Sequence, residues 1–322
     1  MSRVFITRKI PEAGINLLKE KGYSIDISEK DGVLTKEELI AVLKKGNYDA
    51  VLCLLTDKID DEVFEASGPN CKIFANYAVG FDNIDLLAAK NRGMMITNTP
   101  GVLTETVAEH TFALLMAISR RIVESDKFAR SGKYHGWEPM LFLGNDISQK
   151  TLGIVGLGRV GSKMANHAFK GFEMKILYYD PKRDADFEKE CDARFVDLET
   201  LLKESDFVSI HVPLLPQTRH LIGEKEFKLM KSTAYLINTS RGPVVDEKAL
   251  VGALKENLIK GAALDVYEFE PALTEGLSDL DNVILTPHTA SATEETRSKM
   301  AVLAAQNIIA ALEGKEPSNL VK

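Results

Sequence analysis

An arginine, a carboxylate and a histidine, each standing just past an apolar run, are the residues of this chain best suited to act together on a carbonyl. Arg241 follows the run 234–238 in Thr239-Ser240-Arg241-Gly242-Pro243. Glu270 follows the run 262–266 in Glu268-Phe269-Glu270-Pro271, and His288 follows the run 283–285 in Thr286-Pro287-His288. A histidinium is the usual proton donor near neutral pH. A carboxylate beside it favours the charged ring and holds its orientation. An arginine grips a substrate carboxylate with two hydrogen bonds and polarises the carbonyl next to it. Together they suit reduction of a 2-keto acid, in which C2 takes a hydride and the carbonyl oxygen takes a proton. His211 also follows a strand pattern, and is read as lining a cofactor through its backbone. His110, His135, His167 and His220 have no such placement and are read as structural or surface residues.

A hydride needs a carrier, and one stretch is laid out to bind one. Thr151-Leu152-Gly153-Ile154-Val155-Gly156-Leu157-Gly158-Arg159-Val160-Gly161 is an apolar run ending in glycines spaced G-x-G-x-x-G. A helical pattern follows, then a second strand pattern closing on Asp180, about 20 residues past the glycines. Gly156 allows the tight turn, Gly158 lets backbone amides approach a pyrophosphate, and Gly161 lets the helix pack close to the strand. The helix N-terminus offers N–H groups to phosphates. Asp180 is placed to accept hydrogen bonds from the ribose hydroxyls.

These residues need two layers of elements to hold them. Strand patterns at 4–7, 23–27, 50–55, 72–76 and 94–97 alternate with helix patterns, which implies a parallel sheet covered on both faces. Thr35 is the expected N-cap of one helix, with Glu38 three residues on. Residues 104–130 read as one long helix and 131–149 as an irregular arm carrying the only tryptophan, Trp137; both are read as a dimerisation element. Alternation resumes at Thr151 and gives six further strands, the pattern of a doubly wound fold. Residues 181–193 read as charged and solvated. An amphipathic helix at 294–312 lies beyond the last of these strands and is expected to return to the first domain.

With 322 residues the chain is long enough for two domains. Its net charge of −7 argues against nucleic-acid or anionic-membrane partners. Three scattered cysteines, Cys53, Cys71 and Cys191, give neither a disulfide framework nor a metal site, so no metal is expected. The most apolar helical stretch is too short to span a bilayer, and a cytoplasmic enzyme is the expected class.

The chain resembles the D-2-hydroxyacid dehydrogenase family over essentially its whole length. The resemblance is carried by Asn76-Tyr77-Ala78-Val79-Gly80-Phe81-Asp82-Asn83-Ile84-Asp85, Thr97-Asn98-Thr99-Pro100-Gly101, the glycine motif, His211-Val212-Pro213-Leu214, Asn238-Thr239-Ser240-Arg241-Gly242, Leu264-Asp265-Val266-Tyr267-Glu268 and Thr286-Pro287-His288. Within the family it is most similar to the glyoxylate/hydroxypyruvate reductases, through Tyr77-Ala78-Val79-Gly80 and Thr99-Pro100-Gly101-Val102-Leu103-Thr104.

The resemblance implies an α/β chain with a doubly wound Rossmann domain (100–288, with its dimerisation helix and arm at 101–149) inserted into a smaller flavodoxin-like substrate domain (1–99 and 289–322). It implies a catalytic set of Arg241, Glu270 and His288. The implied substrate contacts are Leu55, Val79, Gly80, Arg241 and His288. The implied cofactor contacts are Thr106, Gly156, Gly158, Arg159, Val160, Gly161, Asp180, His211, Val212, Pro213, Thr218, Thr239, Ser240, Arg241, Asp265, His288 and Ala290, with Asp265 on the nicotinamide carboxamide. A homodimer is implied too. Asp180 would repel a 2′-phosphate, so NAD(H) is expected over NADP(H), although Lys182 and Arg183 follow closely. Related reductases often carry a second tryptophan four residues after the first, where this chain has Leu141. The expected activity is reduction of glyoxylate and hydroxypyruvate. D-3-phosphoglycerate dehydrogenase and D-lactate dehydrogenase are alternatives within the family, and an NAD(H)-sensing corepressor-like binding protein is an alternative of another class.

Overall fold

Short buried runs alternate with helices along the whole chain, and a computed structural model describes residues 1–321. The first stretch runs β1 (Arg3–Ile6), α1 (Glu12–Glu20), β2 (Ser24–Ile27), α2 (Lys36–Gly46), β3 (Ala50–Cys53), α3 (Asp61–Ser67), β4 (Ile73–Asn76), α4 (Leu86–Asn91) and β5 (Met95–Thr97). Next come α5 (Thr104–Ser119), α6 (Ile122–Arg130), β6 (Thr151–Val155), α7 (Arg159–Phe172), β7 (Lys175–Tyr179), α8 (Ala185–Cys191), β8 (Arg194–Phe195), α9 (Leu198–Glu204) and β9 (Phe207–Ile210). The chain finishes with α10 (Glu224–Leu229), β10 (Tyr235–Asn238), α11 (Glu247–Lys255), β11 (Gly261–Leu264), β12 (Val283–Leu285) and α12 (Glu294–Leu312). It divides into two compact units, residues 1–103 with 292–322, and residues 104–291.

The first unit is built on a parallel sheet of order β2-β1-β3-β4-β5. β3 and β4 are buried at every position, as strands covered on both faces must be. Helix α12 supplies Met300, Ala301, Ala304, Ala305 and Ile308 to the core beside Ile15 and Leu18 of α1. Helix α2 starts at a reciprocal cap: the Glu38 amide donates to Thr35 Oγ1 at 3.2 Å, and the Thr35 amide donates to Glu38 Oε2 at 2.7 Å.

The second unit holds a seven-stranded parallel sheet of order β12-β11-β10-β9-β6-β7-β8. The order reverses at β6, between β7 and β9, which is the switch point where doubly wound sheets bind ligands. One strand more than the sequence pattern shows is present, because β8 is only two residues long and exposed at the sheet edge. The stretch 181–193 is not wholly solvated: Asp184 caps α8, and Phe187 and Cys191, one turn apart, are buried. Phe187 meets the Tyr178 ring edge-on, with centroids 6.1 Å apart. The helix expected over 104–130 breaks at Arg121, whose φ of 53° ends α5. The Arg121 guanidinium lies over the Phe142 ring at 4.9 Å and donates to Glu124. No helix among the described residues is long and apolar enough to cross a membrane.

Candidate active site

The glycine turn lies at the carboxyl end of β6. Gly156 has a φ of 98°, which an L side chain rarely adopts, and its N–H donates to the Tyr179 carbonyl at 2.8 Å. A Cβ on Gly161 would stand 2.1 Å from the Gly156 carbonyl oxygen, so α7 can approach the turn only with glycine there. Gly158 differs. A Cβ there would meet no protein atom, so the chain's own packing does not demand this glycine. Gly158 is also the N-cap of α7 and gives it no side-chain cap, which leaves the first N–H groups of the helix for an external acceptor. Asp180, at the end of β7, is held by two backbone amides: Leu157 N–H to Oδ2 at 2.9 Å and Lys182 N–H to Oδ1 at 3.0 Å. An uncapped helix end, an open cradle at Gly158 and an anchored carboxylate fit a dinucleotide. Arg183 is turned away to Glu188, with Nε and Nη2 donating at 2.8 and 2.7 Å.

Beyond β11 and β12 the same unit gathers its ionisable groups. Asp265 is fully buried. It accepts from Thr286 Oγ1 at 2.6 Å and from the amides of Thr289 and Ala290, each at 2.8 Å. Burial alone would raise the pKa of this carboxyl, but these donors and His110 reverse the balance and hold it below the ordinary value. His288 sits at a φ of 54°, a left-handed conformation that costs energy in a side-chain-bearing residue. Its amide donates to the Asp265 and Thr286 carbonyls, both at 3.0 Å. The ring Nδ1 lies 2.7 Å from Glu270 Oε1, so the carboxylate fixes the ring and leaves Nε2 as the nitrogen able to exchange a proton.

The turn after β10 carries Arg241. Asn238 closes it, accepting from the Ser240 amide at 3.0 Å and hydroxyl at 2.9 Å while donating to the Arg241 carbonyl at 3.0 Å. Arg241 Nη1 donates to the Ser240 carbonyl at 2.7 Å. Thr239 Oγ1 is 2.7 Å from Thr111 Oγ1 of α5. After β9, Thr218 Oγ1 donates to the Pro213 carbonyl at 2.6 Å and shapes the turn that follows His211, Val212 and Pro213. Burial pushes His211 down to about 3, so its ring is neutral beside Ser209. Thr106 and Arg159 stand at the starts of α5 and α7, with Val160 next to Arg159.

The remaining sequence candidates, Leu55, Val79 and Gly80, belong to the first unit. The turn bearing Leu55 is held by buried Asp57, which accepts from the Leu54 amide at 2.8 Å and Thr7 Oγ1 at 2.5 Å. The carbonyls of Val79 and Gly80 accept from Asn98 Nδ2 at 2.8 Å and Asn76 Nδ2 at 2.9 Å. Their own N–H groups have no acceptor among the described residues, so this loop can receive an anion.

His110, read from the sequence as a structural or surface residue, has its partners in the group around Asp265. Its Nε2 lies 3.5 Å from both Asp265 Oδ1 and Thr286 Oγ1, which places it in the same cluster as His288. One signal was available: His110 follows Thr106 by one helical turn and so shares its face of α5. A separate cavity of about 350 Å³, lined by residues such as Ile118, Lys127, Phe142 and Asp281, contains none of these groups.

The chain is similar to known proteins in sequence and fold. Residues 112–290 match the family model described as D-isomer specific 2-hydroxyacid dehydrogenase, NAD binding domain. The chain is 54% identical to a glyoxylate reductase of Korarchaeum cryptofilum, covering 99% of this chain and 95% of that protein. It is 53% identical to a glyoxylate reductase of Thermococcus litoralis, covering 99% and 96%. Among solved structures, the TT0316 protein from Thermus thermophilus is similar with a TM-score of 0.93 and 40% identity, over 99% of this chain and 100% of that one.

Proposed function

We propose that this chain, which belongs to the D-isomer specific 2-hydroxyacid dehydrogenase family, reduces small 2-keto acids, glyoxylate and hydroxypyruvate first, with NADH as hydride donor. The observation that carries the reading is the 2.7 Å contact between Glu270 and His288 Nδ1, next to buried Asp265 and past the ends of β11 and β12. The glycine turn of β6 and α7 would hold the dinucleotide, with Asp180 on the ribose and Asp265 on the carboxamide. A reduced nicotinamide supplies the hydride that C2 of the keto acid receives. His288 delivers a proton from Nε2 to the keto oxygen, and Glu270 holds the ring in place through Nδ1. Arg241 binds the substrate carboxylate and polarises the carbonyl. The glyoxylate reductase relatives support glyoxylate as a substrate.

Asp180 supports NADH over NADPH. At about 4 Å, two unit charges near a protein surface repel by ~4 kcal/mol, and a 2′-phosphate would meet a carboxylate fixed by two amides. Steady-state rates with glyoxylate, hydroxypyruvate, 3-phosphohydroxypyruvate and pyruvate test the substrate reading. Glyoxylate or hydroxypyruvate is expected to give the highest kcat/KM, and no NADH oxidation with any of them would overturn the activity. The NADH to NADPH ratio of kcat/KM is expected to be about 10²-fold or more, and Asp180→Ala should narrow it. A wild-type preference for NADPH would contradict the role of Asp180.

Helix α6 and the arm that follows it support a homodimer. Helix α6 buries none of its residues, and Tyr134, Trp137, Met140 and Leu143 are 55%, 82%, 75% and 53% exposed. So much apolar surface on one segment marks an association surface. Light scattering is expected to give twice the 35.6 kDa chain mass. A monomer at micromolar concentration would refute it.

A further inference from the structure

We infer that Glu247 is a positioning residue for the reaction, clamping both feet of the loop that presents Glu270 to His288. Glu247 is the first residue of α11 and is 1% exposed. Its Oε1 accepts from the Glu268 amide at 2.6 Å, and its Oε2 accepts from Thr274 Oγ1 at 2.6 Å. Between these two points the loop 268–274 folds on itself, with the Ala272 amide donating to the Phe269 carbonyl at 2.9 Å. Glu270 stands in this fold, with a side chain one-third exposed and, among the described residues, its contact to His288 to aim it. A buried carboxylate that satisfies both feet of a short loop removes the freedom the tip would otherwise have.

The surroundings belong to the same mount. Gly242, next to Arg241, packs flat on the start of the loop: a Cβ there would lie 1.9 Å from the Tyr267 carbonyl carbon. Tyr267 Oη donates to the Thr286 carbonyl at 2.7 Å, two residues before His288. Glu268 accepts from Arg219 at 3.1 Å and lies 2.7 Å from His220 Nε2, so its charge is met from the other side. Burial raises the pKa of Glu247, with the Glu268 carboxylate adding to the rise. A neutral side chain of the same shape can make the same two contacts. A glutamine keeps an acceptor for the Glu268 amide, and its NH2 can donate to the Thr274 hydroxyl, which accepts as readily as it donates.

The inference rests on the proposed role of Glu270, and a double-mutant cycle separates the two. The probe is glyoxylate reduction by the full chain with NADH, and NADH affinity is followed separately by fluorescence. Glu247→Ala is expected to lower kcat by about tenfold or more, as displaced catalytic groups do, with NADH affinity changed less than about twofold. Glu247→Gln should recover most of the loss. Added to Glu270→Gln, Glu247→Ala should cost less than a further twofold, because the group it positions is already disabled. A kcat for Glu247→Ala within twofold of wild type would overturn the inference, as would full multiplicative loss in the double variant or a glutamine variant as slow as the alanine one. Should Glu247→Ala not fold, Thr274→Val, which frees one foot only, enters the same cycle, with a several-fold loss expected and the same criteria for rejection. A Glu270→Gln variant with wild-type kcat would strike the proposed role of Glu270, and the inference with it, whatever Glu247 does.

Discussion

His288→Ala is expected to lower kcat for glyoxylate reduction by about 10³-fold, within the range that a positioned general acid contributes. NADH affinity should change by less than about threefold. The size follows from how completely the ring is committed. Its backbone is held in a left-handed conformation by hydrogen bonds to Asp265 and Thr286, and its Nδ1 is engaged by Glu270 at 2.7 Å. His288 itself follows β12 and takes its carboxylate partner from the loop after β11, whereas His220, which meets Glu268 at 2.7 Å, follows β9. The His110 ring lies 3.5 Å from Asp265 and Thr286, while burial keeps the His211 ring neutral. Single-turnover rates with saturating NADH check the expected loss directly. A variant within tenfold of the wild-type rate would remove His288 from the proton transfer.

Arg241→Lys is expected to lower kcat/KM for glyoxylate by about 10²-fold, and Arg241→Ala by more. A two-pronged charge-assisted pair contributes about 1.5–3 kcal/mol per hydrogen bond, and a lysine retains the charge but not the fork. The loss should appear largely in KM for the keto acid, because the carboxylate is bound in ground state and transition state alike. The part that falls on kcat measures how much the guanidinium polarises the reacting carbonyl. The turn should survive the change. Asn238 closes it through the Ser240 amide and hydroxyl and the Arg241 carbonyl, none of which depends on the arginine side chain. NADH affinity by fluorescence titration should therefore stay near wild type. An unchanged KM in Arg241→Lys would exclude the arginine as the carboxylate anchor.

Much of the architecture can be read from local pattern, because its causes are local. A tight turn needs a residue that tolerates positive φ, and Gly156 supplies it. Helix α7 can seat against that turn only where a Cβ is missing, and Gly161 provides the gap. Strands covered on both faces are buried at every position and mostly apolar, so β3, β4, β9 and β10 stand out. The cap formed by Thr35 and Glu38 is legible for the same reason, since both partners lie within one helical turn. Weak local signals mislead. Helix α8 has only two buried residues, strand β8 is two residues long, and Arg121 at the helix break packs on Phe142, well outside the helix.

The candidate site divides along the same line. Arg241, Glu270 and His288 are recognisable in the sequence by residue type and by their place after separate strand patterns, since a parallel sheet sets its strand ends side by side. Sequence cannot state which carboxylate meets which histidine. The tertiary structure decides that Glu270 pairs with His288, that His110 joins Asp265 from α5, and that Glu247 holds the Glu270 loop from α11. These contacts join residues on different elements, and their distances depend on strand order and helix packing. The chain alone therefore determined the fold class, the glycine turn and the residue types available for chemistry, all of which follow from neighbours in sequence. Only the folded sheet, with its order turning at β6, decided which of those residues lie within hydrogen-bonding reach of one another.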